Sequence, residues 1–367
     1  MNTLRETEYH KILGNLRHPE RRSWILMNPG AIGETTTVCA LASAFARKHG
    51  HPVTIIVPPD HQPVVQMYPN RFLRIVTMPR ESMINITYSY LDPLRFELDI
   101  PICAHQYELG DGRIDDMQYL LKYPGRGGLT CTDIFRHLLR LPWNTALERP
   151  TVPEQFVAEA RQFAAKAGIV PDQSVILFPA ANSNTRYSQL PDTMWKTVVA
   201  RLKELGYTVF CNMKGGNHRP ATMPVEGAIP IEVPMHLALP LVTIAGRTIT
   251  SSTGLQFLML LGGQFRQMTV VVPMQGNFDD YSMNYRTYMA MSPFAQYTLP
   301  EMCLNMPLSE FAVPIDGSEK DFTRIGMAIA NNDRADINCV KRVGLDGRLY
   351  VEENESWLKE LIAPLNA

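Results

Sequence analysis

The sequence predicts an α/β protein made of two tandem β/α halves, each with its own parallel sheet. Three runs of residues predict it. Ile176-Leu177-Phe178-Pro179-Ala180-Ala181-Asn182 and Ile249-Thr250-Ser251-Ser252-Thr253-Gly254-Leu255 are short apolar stretches that empty into small polar residues and then into a helical pattern. In an α/β sheet that is where a strand ends and a helix begins. Backbone N–H groups and the helix dipole point outward there and bind phosphate well. The third run, Met27-Asn28-Pro29-Gly30-Ala31-Ile32-Gly33-Glu34, has the same form near the N-terminus and adds a carboxylate. Such ends together predict a nucleotide or sugar-nucleotide cleft.

The remaining elements follow in order. Residues 1–22 read as a polar lead-in, one helix, and 23–27 as an apolar strand. After the turn at 29–33, residues 34–49 carry Val38, Leu41, Ala42 and Phe45 at helical spacing, and Gly50 ends that helix. A β-branched strand at 53–57 closes on Pro58-Pro59, a short helix spans 62–67, and a third strand spans 74–76. Strands alternating with helices mean parallel crossover units. Residues 88–91 and 96–102 are expected strands, 123–128 a loop, and 132–141 a helix. Residues 142–153, proline-marked at both ends, are the expected domain boundary. Beyond it come a helix at 154–167 stopped by Gly168, a strand at 175–178, a helix at 191–205, a strand at 207–212 and a helix at 237–245 ended by Gly246. The strand–helix–strand at 248–251, 255–261 and 268–272 completes the second half. Residues 273–313 read as irregular, and 355–362 as a closing helix.

The bulk numbers bound the function. A chain of 367 residues favours two domains, and 45% hydrophobic residues are enough for sizeable cores. A net charge of −1 predicts no nucleic-acid partner and no polybasic membrane patch. The cysteines at 39, 103, 131, 211, 303 and 339 have no paired spacing, so reduced thiols and a cytoplasmic protein are expected. Residues 1–22 lack an apolar h-region, so no signal peptide is predicted.

Four loops can carry chemistry. Gly30 and Gly33 let a ligand approach the backbone after the first strand. Glu34, in the first helical turn, either complements the helix dipole or acts as a general base. Asn182, Arg186 and Ser188 lie in a polar strand-to-helix loop where an arginine can grip a diphosphate, or simply sit in solvent. Ser252, Thr253 and Gly254 either cap the next helix or receive a phosphate at its start. Lys214, in a Lys-Gly-Gly-Asn turn, is a fourth strand end on the same side. Asp60-His61 follows the second strand and reads as an exposed turn, or as a contribution to the cleft. The aromatics of 281–288 either pack or line an acceptor groove. There is no GxGxxG, GxSxG, HExxH or DxD pattern and no Cys/His cluster, so neither a dinucleotide fingerprint nor a metal is expected.

Taken together these elements resemble a GT-B glycosyltransferase, and more particularly the heptosyltransferase-like family, glycosyltransferase family 9. Gly33-Glu34 fills the slot of that family's Gly-Asp turn. The stretch from Phe178 to Pro191 with Trp195 is similar to its strand, small-residue loop and Trp-Pro helix, with Leu190-Pro191 at the Trp-Pro position. Ser252-Thr253-Gly254 resembles its Asp-Thr-Gly turn. The likeness covers residues 23–76 and 174–273. Ser188 stands where the family has lysine, with Arg186 two residues earlier, and Ser252 and Phe257 stand where it has Asp and His. ADP-heptose recognition is therefore not implied.

The resemblance implies two Rossmann-like β/α/β domains facing each other across a cleft. Residues 1–150 would be the acceptor side with Glu34 as base. Residues 151–350 would hold the donor, with Thr253 and Gly254 at its phosphates, and 351–367 would pack back as a C-terminal helix. It implies an inverting, metal-independent transfer of a sugar from a nucleotide-sugar donor to a saccharide or glycolipid acceptor, in bacterial surface polysaccharide or lipopolysaccharide synthesis. No cofactor is expected. Such an enzyme works in the cytoplasm, with peripheral contact at the inner face of the inner membrane open to it. A GT-B epimerase or hydrolase and a non-catalytic binding protein on the same scaffold are the alternatives.

Overall fold

The computed structural model describes residues 14, 16, 18–84, 96–104, 131–180, 190–213, 224–251, 253–264, 266–274, 308–314, 317–331, 339–343 and 349–352. The described residues up to Ala104, with Thr132–Thr151, form one compact unit, and those from Val152 onward form another.

The first unit begins with β1 (Trp24–Met27), α1 (Ile32–His49), β2 (Val53–Val57), a 3-10 turn at Pro59–His61, α2 (Gln62–Gln66), β3 (Arg74–Thr77), β4 (Pro101–Cys103) and α3 (Cys131–Leu138). Its strands pair in the order β3-β2-β1-β4, all parallel. β1 and β2 are mostly apolar and buried on both faces, as strands in the middle of a covered parallel sheet must be. α1 is buried all round from Gly33 to Ala42, not only on the stripe carrying Val38, Leu41 and Ala42. Gly50 stops it at φ 74°, a left-handed conformation that glycine adopts without a Cβ penalty.

The second unit contains α4 (Glu154–Ala167), β5 (Ser174–Phe178), α5 (Asp192–Glu204), β6 (Thr208–Asn212), β7 (Ile229–Ile231), α6 (Met235–Ala245), β8 (Arg247–Ser251), α7 (Gly254–Gly262), β9 (Gln267–Met274), β10 (Leu308–Pro314), α8 (Glu319–Asn331), β11 (Cys339–Val343) and β12 (Leu349–Glu352). The described strands form one sheet in the order β12-β11-β10-β9-β8-β5-β6-β7. Every pair is parallel except β11 with β12. On one face Val175, Leu177, Ile249, Val271 and Phe311 pack under Trp195, Val198 and Leu202 of α5 and Phe322, Ile325 and Ile329 of α8. α8 lies close against α5: a Cβ on Gly326 would stand 2.6 Å from the Met194 carbonyl oxygen.

Both units are therefore Rossmann-like β/α sheets. Three expectations need correction. The strand foreseen at 96–102 is confined to Pro101–Cys103, because Asp99 turns the backbone at φ 65° and spends its carboxylate on Ser23 N–H and Arg22. The stretch 273–313 is not irregular throughout: β9 runs on to Met274, and Leu308 opens a further parallel strand paired with it. Strands β7, β11 and β12 and helix α8 were not foreseen. The expected helix at 355–362, the expected strand at 88–91 and the aromatics of 281–288 lie outside the described residues. Among the described residues no helix is long and apolar enough to cross a membrane.

Candidate functional site

Among the described strands each sheet changes direction once, and the change places its site. In the second unit the chain runs outward from β5 to β6 and β7, then returns to lay β8 on the other side of β5. In the first it runs from β1 to β2 and β3, then returns to lay β4 beside β1. At such a reversal the loops after two neighbouring strands leave on opposite faces, and a crevice opens outside their carboxyl ends. The crevices thus lie between the ends of β5 and β8, and between those of β1 and β4. The three runs singled out in the sequence stand there.

At the β1–β4 reversal, Asn28 is wholly buried. Its Nδ2 donates to the Ala104 carbonyl at 2.8 Å, and its Oδ1 accepts from Gly30 N–H at 2.8 Å. The turn is thus fixed from its own first residue. Gly30 and Gly33 are both buried, and neither has positive φ, so what they contribute is the missing side chain. Glu34 is the third residue of α1 and 7% exposed. Its Oε2 accepts from Ala31 N–H at 2.6 Å, the carboxylate half of a capping box whose other half the Ala31 side chain cannot supply. The carboxylate therefore carries out the helix-start role, and it is also the acidic group nearest the crevice in this turn.

Two neighbouring loops close on the same turn. After β3, the Arg80 guanidinium donates to the Gly30 carbonyl. After β2, His61 is not in an exposed turn: it is 2% exposed, with Nδ1 at 2.8 Å from the Thr35 hydroxyl of α1. Burial pushes the His61 pKa down to about 4, against Asp60, which raises it, and with Arg80, which lowers it further. All four described strands of the first sheet thus send a contact to the turn at 28–35. The sequence reading named His61 as an exposed turn or a contribution to the cleft, and it missed Arg80; neither belongs to a periodic pattern. The one available signal was that each directly follows a predicted strand of a parallel sheet.

At the β5–β8 reversal, Ser251 is 1% exposed and its hydroxyl donates to the Pro179 carbonyl at 2.7 Å, tying the two strand ends together. Thr253 has extended backbone, φ −132° and ψ 157°, and is the N-cap of α7, followed by Gly254 at the first helical position. Its side chain makes no capping bond, and its buried Oγ1 has no hydrogen-bond partner among the described residues. A threonine N-cap ordinarily uses that oxygen on an N–H of the first turn. Here that oxygen is buried and not spent on the helix. Ser252, Asn182, Arg186, Ser188 and Lys214 lie outside the described residues. Among the described residues no group of three or more His, Cys, Asp or Glu could hold a metal ion.

No protein-family model matches the sequence, and no curated protein does. Among solved structures, the chain is similar to a glycosyl transferase family 9 protein from Veillonella parvula DSM 2008, at 12% identity and TM-score 0.47, over 68% of this chain and 80% of that one. It is similar to the E. coli ADP-heptose lps heptosyltransferase II at 11% identity and TM-score 0.47, over 78% of this chain and 89% of that one. It is also similar to TibC, an iron-containing dodecameric glycosyltransferase from enterotoxigenic E. coli H10407. That match has 16% identity and TM-score 0.45, over 70% of this chain and 60% of that one.

Proposed function

We propose that this chain is an inverting, metal-independent glycosyltransferase of GT-B architecture. It moves a sugar from a nucleotide-sugar to a hydroxyl of a saccharide or glycolipid acceptor, in bacterial surface polysaccharide or lipopolysaccharide synthesis. The observation that carries the reading is the pair of strand-order reversals. One bears a carboxylate at a helix start, Glu34, and the other an uncommitted hydroxyl at a helix start, Thr253.

The division of labour follows from that chemistry. The acceptor hydroxyl gives its proton to Glu34, and its oxygen forms the new bond at the anomeric carbon. The bond from that carbon to the diphosphate oxygen breaks on the opposite face, so the configuration inverts. The leaving nucleoside diphosphate takes the electron pair. Its growing charge is met by the first N–H groups of α7, by the Thr253 hydroxyl and by Arg186, with no step needing a metal. For this, Glu34 must share or release the Ala31 N–H when the acceptor arrives. The roles of Asn182, Ser188, Ser252 and Lys214 at the donor belong to the same proposal, as does a cytoplasmic location.

The hydrogen bond from Ala31 N–H to Glu34 favours a second reading, a binding protein on the same scaffold in which the carboxylate only starts the helix. One experiment separates the two. The purified protein is screened by thermal shift against ADP, GDP, UDP, CDP, CMP and dTDP, with and without EDTA, since a ligand that binds the native state raises the midpoint. Transfer from the matching nucleotide-sugar is then assayed with Glu34→Gln beside wild type. A selective EDTA-insensitive shift with an inactive variant supports the transferase. A shift with no transfer by wild type supports the binding protein, and an active Glu34→Gln removes Glu34 from the chemistry.

A further inference from the structure

After Glu34, α1 carries three successive threonines, all buried, and they do not spend their hydroxyls alike. Thr36 donates to the Ile32 carbonyl at 2.8 Å and Thr37 to the Gly33 carbonyl at 3.0 Å, each one turn back in its own helix. Such back-bonding is the ordinary way a mid-helix threonine satisfies itself. The carbonyl one turn before Thr35 belongs to Ala31, and it accepts the first helical N–H, from Thr35 itself, at 3.1 Å. The Thr35 hydroxyl instead leaves the helix and meets His61 Nδ1 at 2.8 Å. Thr35 is 0% and His61 2% exposed, so the pair is shielded from competing water.

We propose that His61 is a positioning residue for Glu34, holding the first turn of α1 to the loop after β2 through the Thr35 hydroxyl. Thr35 adjoins Glu34 in the chain, so a clamp on one fixes where the backbone presents the other. A carboxylate asked to take a proton must be held to a fraction of an ångström, and that precision comes from neighbours whose own places are locked. The bond joins the segments after β1 and β2. Arg80, after β3, holds the Gly30 carbonyl of the same turn. Burial keeps the imidazole neutral at neutral pH, so the clamp adds no positive charge beside the carboxylate. Its bearing on transfer rests on the base role proposed for Glu34.

The clamp is tested without any substrate, by amide hydrogen exchange in the full chain. The reporter is Ala31 N–H, which Glu34 holds. His61→Leu and Thr35→Val each remove one side of the clamp, and Thr35→Val does so at nearly constant shape. His61→Asn keeps a polar atom near the Nδ1 position. We expect exchange at Ala31 to quicken about tenfold in both removing variants, the scale of one hydrogen bond's net contribution. Leu41 and Ala42, deeper in α1, are expected to keep their wild-type rates. His61→Asn is expected to restore slow exchange at Ala31. Unchanged exchange at Ala31 in Thr35→Val overturns the proposal, and so does a uniform quickening through α1, which would make His61 core filling only. Transfer by Glu34→Gln is measured in parallel: if it persists, the base assignment falls while the exchange result still decides the clamp.

Discussion

Asn28 and Ala104 meet across the reversal of the first sheet, the Asn28 side-chain amide donating to the Ala104 carbonyl at 2.8 Å in a wholly buried site. Ser251 and Pro179 meet in the same way across the reversal of the second, side-chain hydroxyl to backbone carbonyl at 2.7 Å. Where two strand ends part, their carbonyls lose the sheet ladder, and a side chain from one end satisfies a carbonyl of the other. This holds the mouth of each crevice at a fixed width.

Replacing Asn28 with alanine therefore leaves the Ala104 carbonyl and the Gly30 N–H without their partners. Burying unpaired polar groups costs on the order of 1–3 kcal/mol. The expected result in urea unfolding is a loss of that size with an unchanged m-value. A neutral substitution would mean that water replaces the amide, and that the crevice is wetter than its burial implies.

The turn before β8 offers a sharper comparison. Gly246 ends α6 at φ 81°, and a Cβ there would stand 2.6 Å from Asp172 Oδ1. Gly50 ends α1 at φ 74° with nothing within 4 Å. Both alanine variants meet left-handed strain of about 1 kcal/mol, but only Gly246→Ala must also displace the Asp172 carboxylate. Thermal unfolding should show Gly246→Ala as the more destabilised of the two. Equal losses would mean that Asp172 turns away freely.

The three strand-to-helix runs could be read from residues 27–34, 176–182 and 249–255 because a parallel strand leaves an unbroken apolar signal and a helix start leaves small polar residues. The strand order could not be read. That β8 lies beside β5, and β4 beside β1, depends on pairings far apart in the chain, and these orders give the runs their functional meaning. His61 was read as an exposed turn, with a contribution to the cleft as the alternative, because its neighbours Pro59 and Asp60 have turn chemistry. Its burial comes from α1 packing over it, which no local pattern encodes. Strand β7 escaped for a local reason: Pro230 lies inside it, and proline ordinarily argues against a strand.

His61 gives the first unit a pH dependence whose sign is fixed by its burial. Its pKa is about 4 in the folded chain, against 6.5 for the free side chain. Between those values the unfolded chain binds a proton that the folded one refuses, so acid favours unfolding. Stability is full above about pH 6.5 and falls as the pH drops toward 4, with the loss levelling off below that. The separation corresponds to about 3 kcal/mol. Asp60 opposes the shift and Arg80 supports it, so Arg80→Met should narrow the window. Urea midpoints measured from pH 7.5 to 4 should show this slope in wild type and a shallower one in His61→Asn. Parallel curves would mean that other groups carry the acid sensitivity.

The last prediction separates the two reversals by function. If the donor's phosphates sit at the start of α7, then Thr253→Val, which removes the unpartnered hydroxyl, should weaken the thermal shift given by the matching nucleoside diphosphate. A hydrogen bond from a neutral hydroxyl to a charged phosphate is worth about 1.5–3 kcal/mol, or roughly ten- to 150-fold in affinity. Glu34→Gln keeps the size of the side chain and an oxygen that can still accept from Ala31 N–H, so it should leave that shift intact while ending transfer. The two variants then split binding from turnover, one in each unit. A Glu34→Gln variant that lost nucleotide binding as fully as Thr253→Val would instead place both residues on one ligand, and the assignment of base and donor to separate sheets would have to be abandoned.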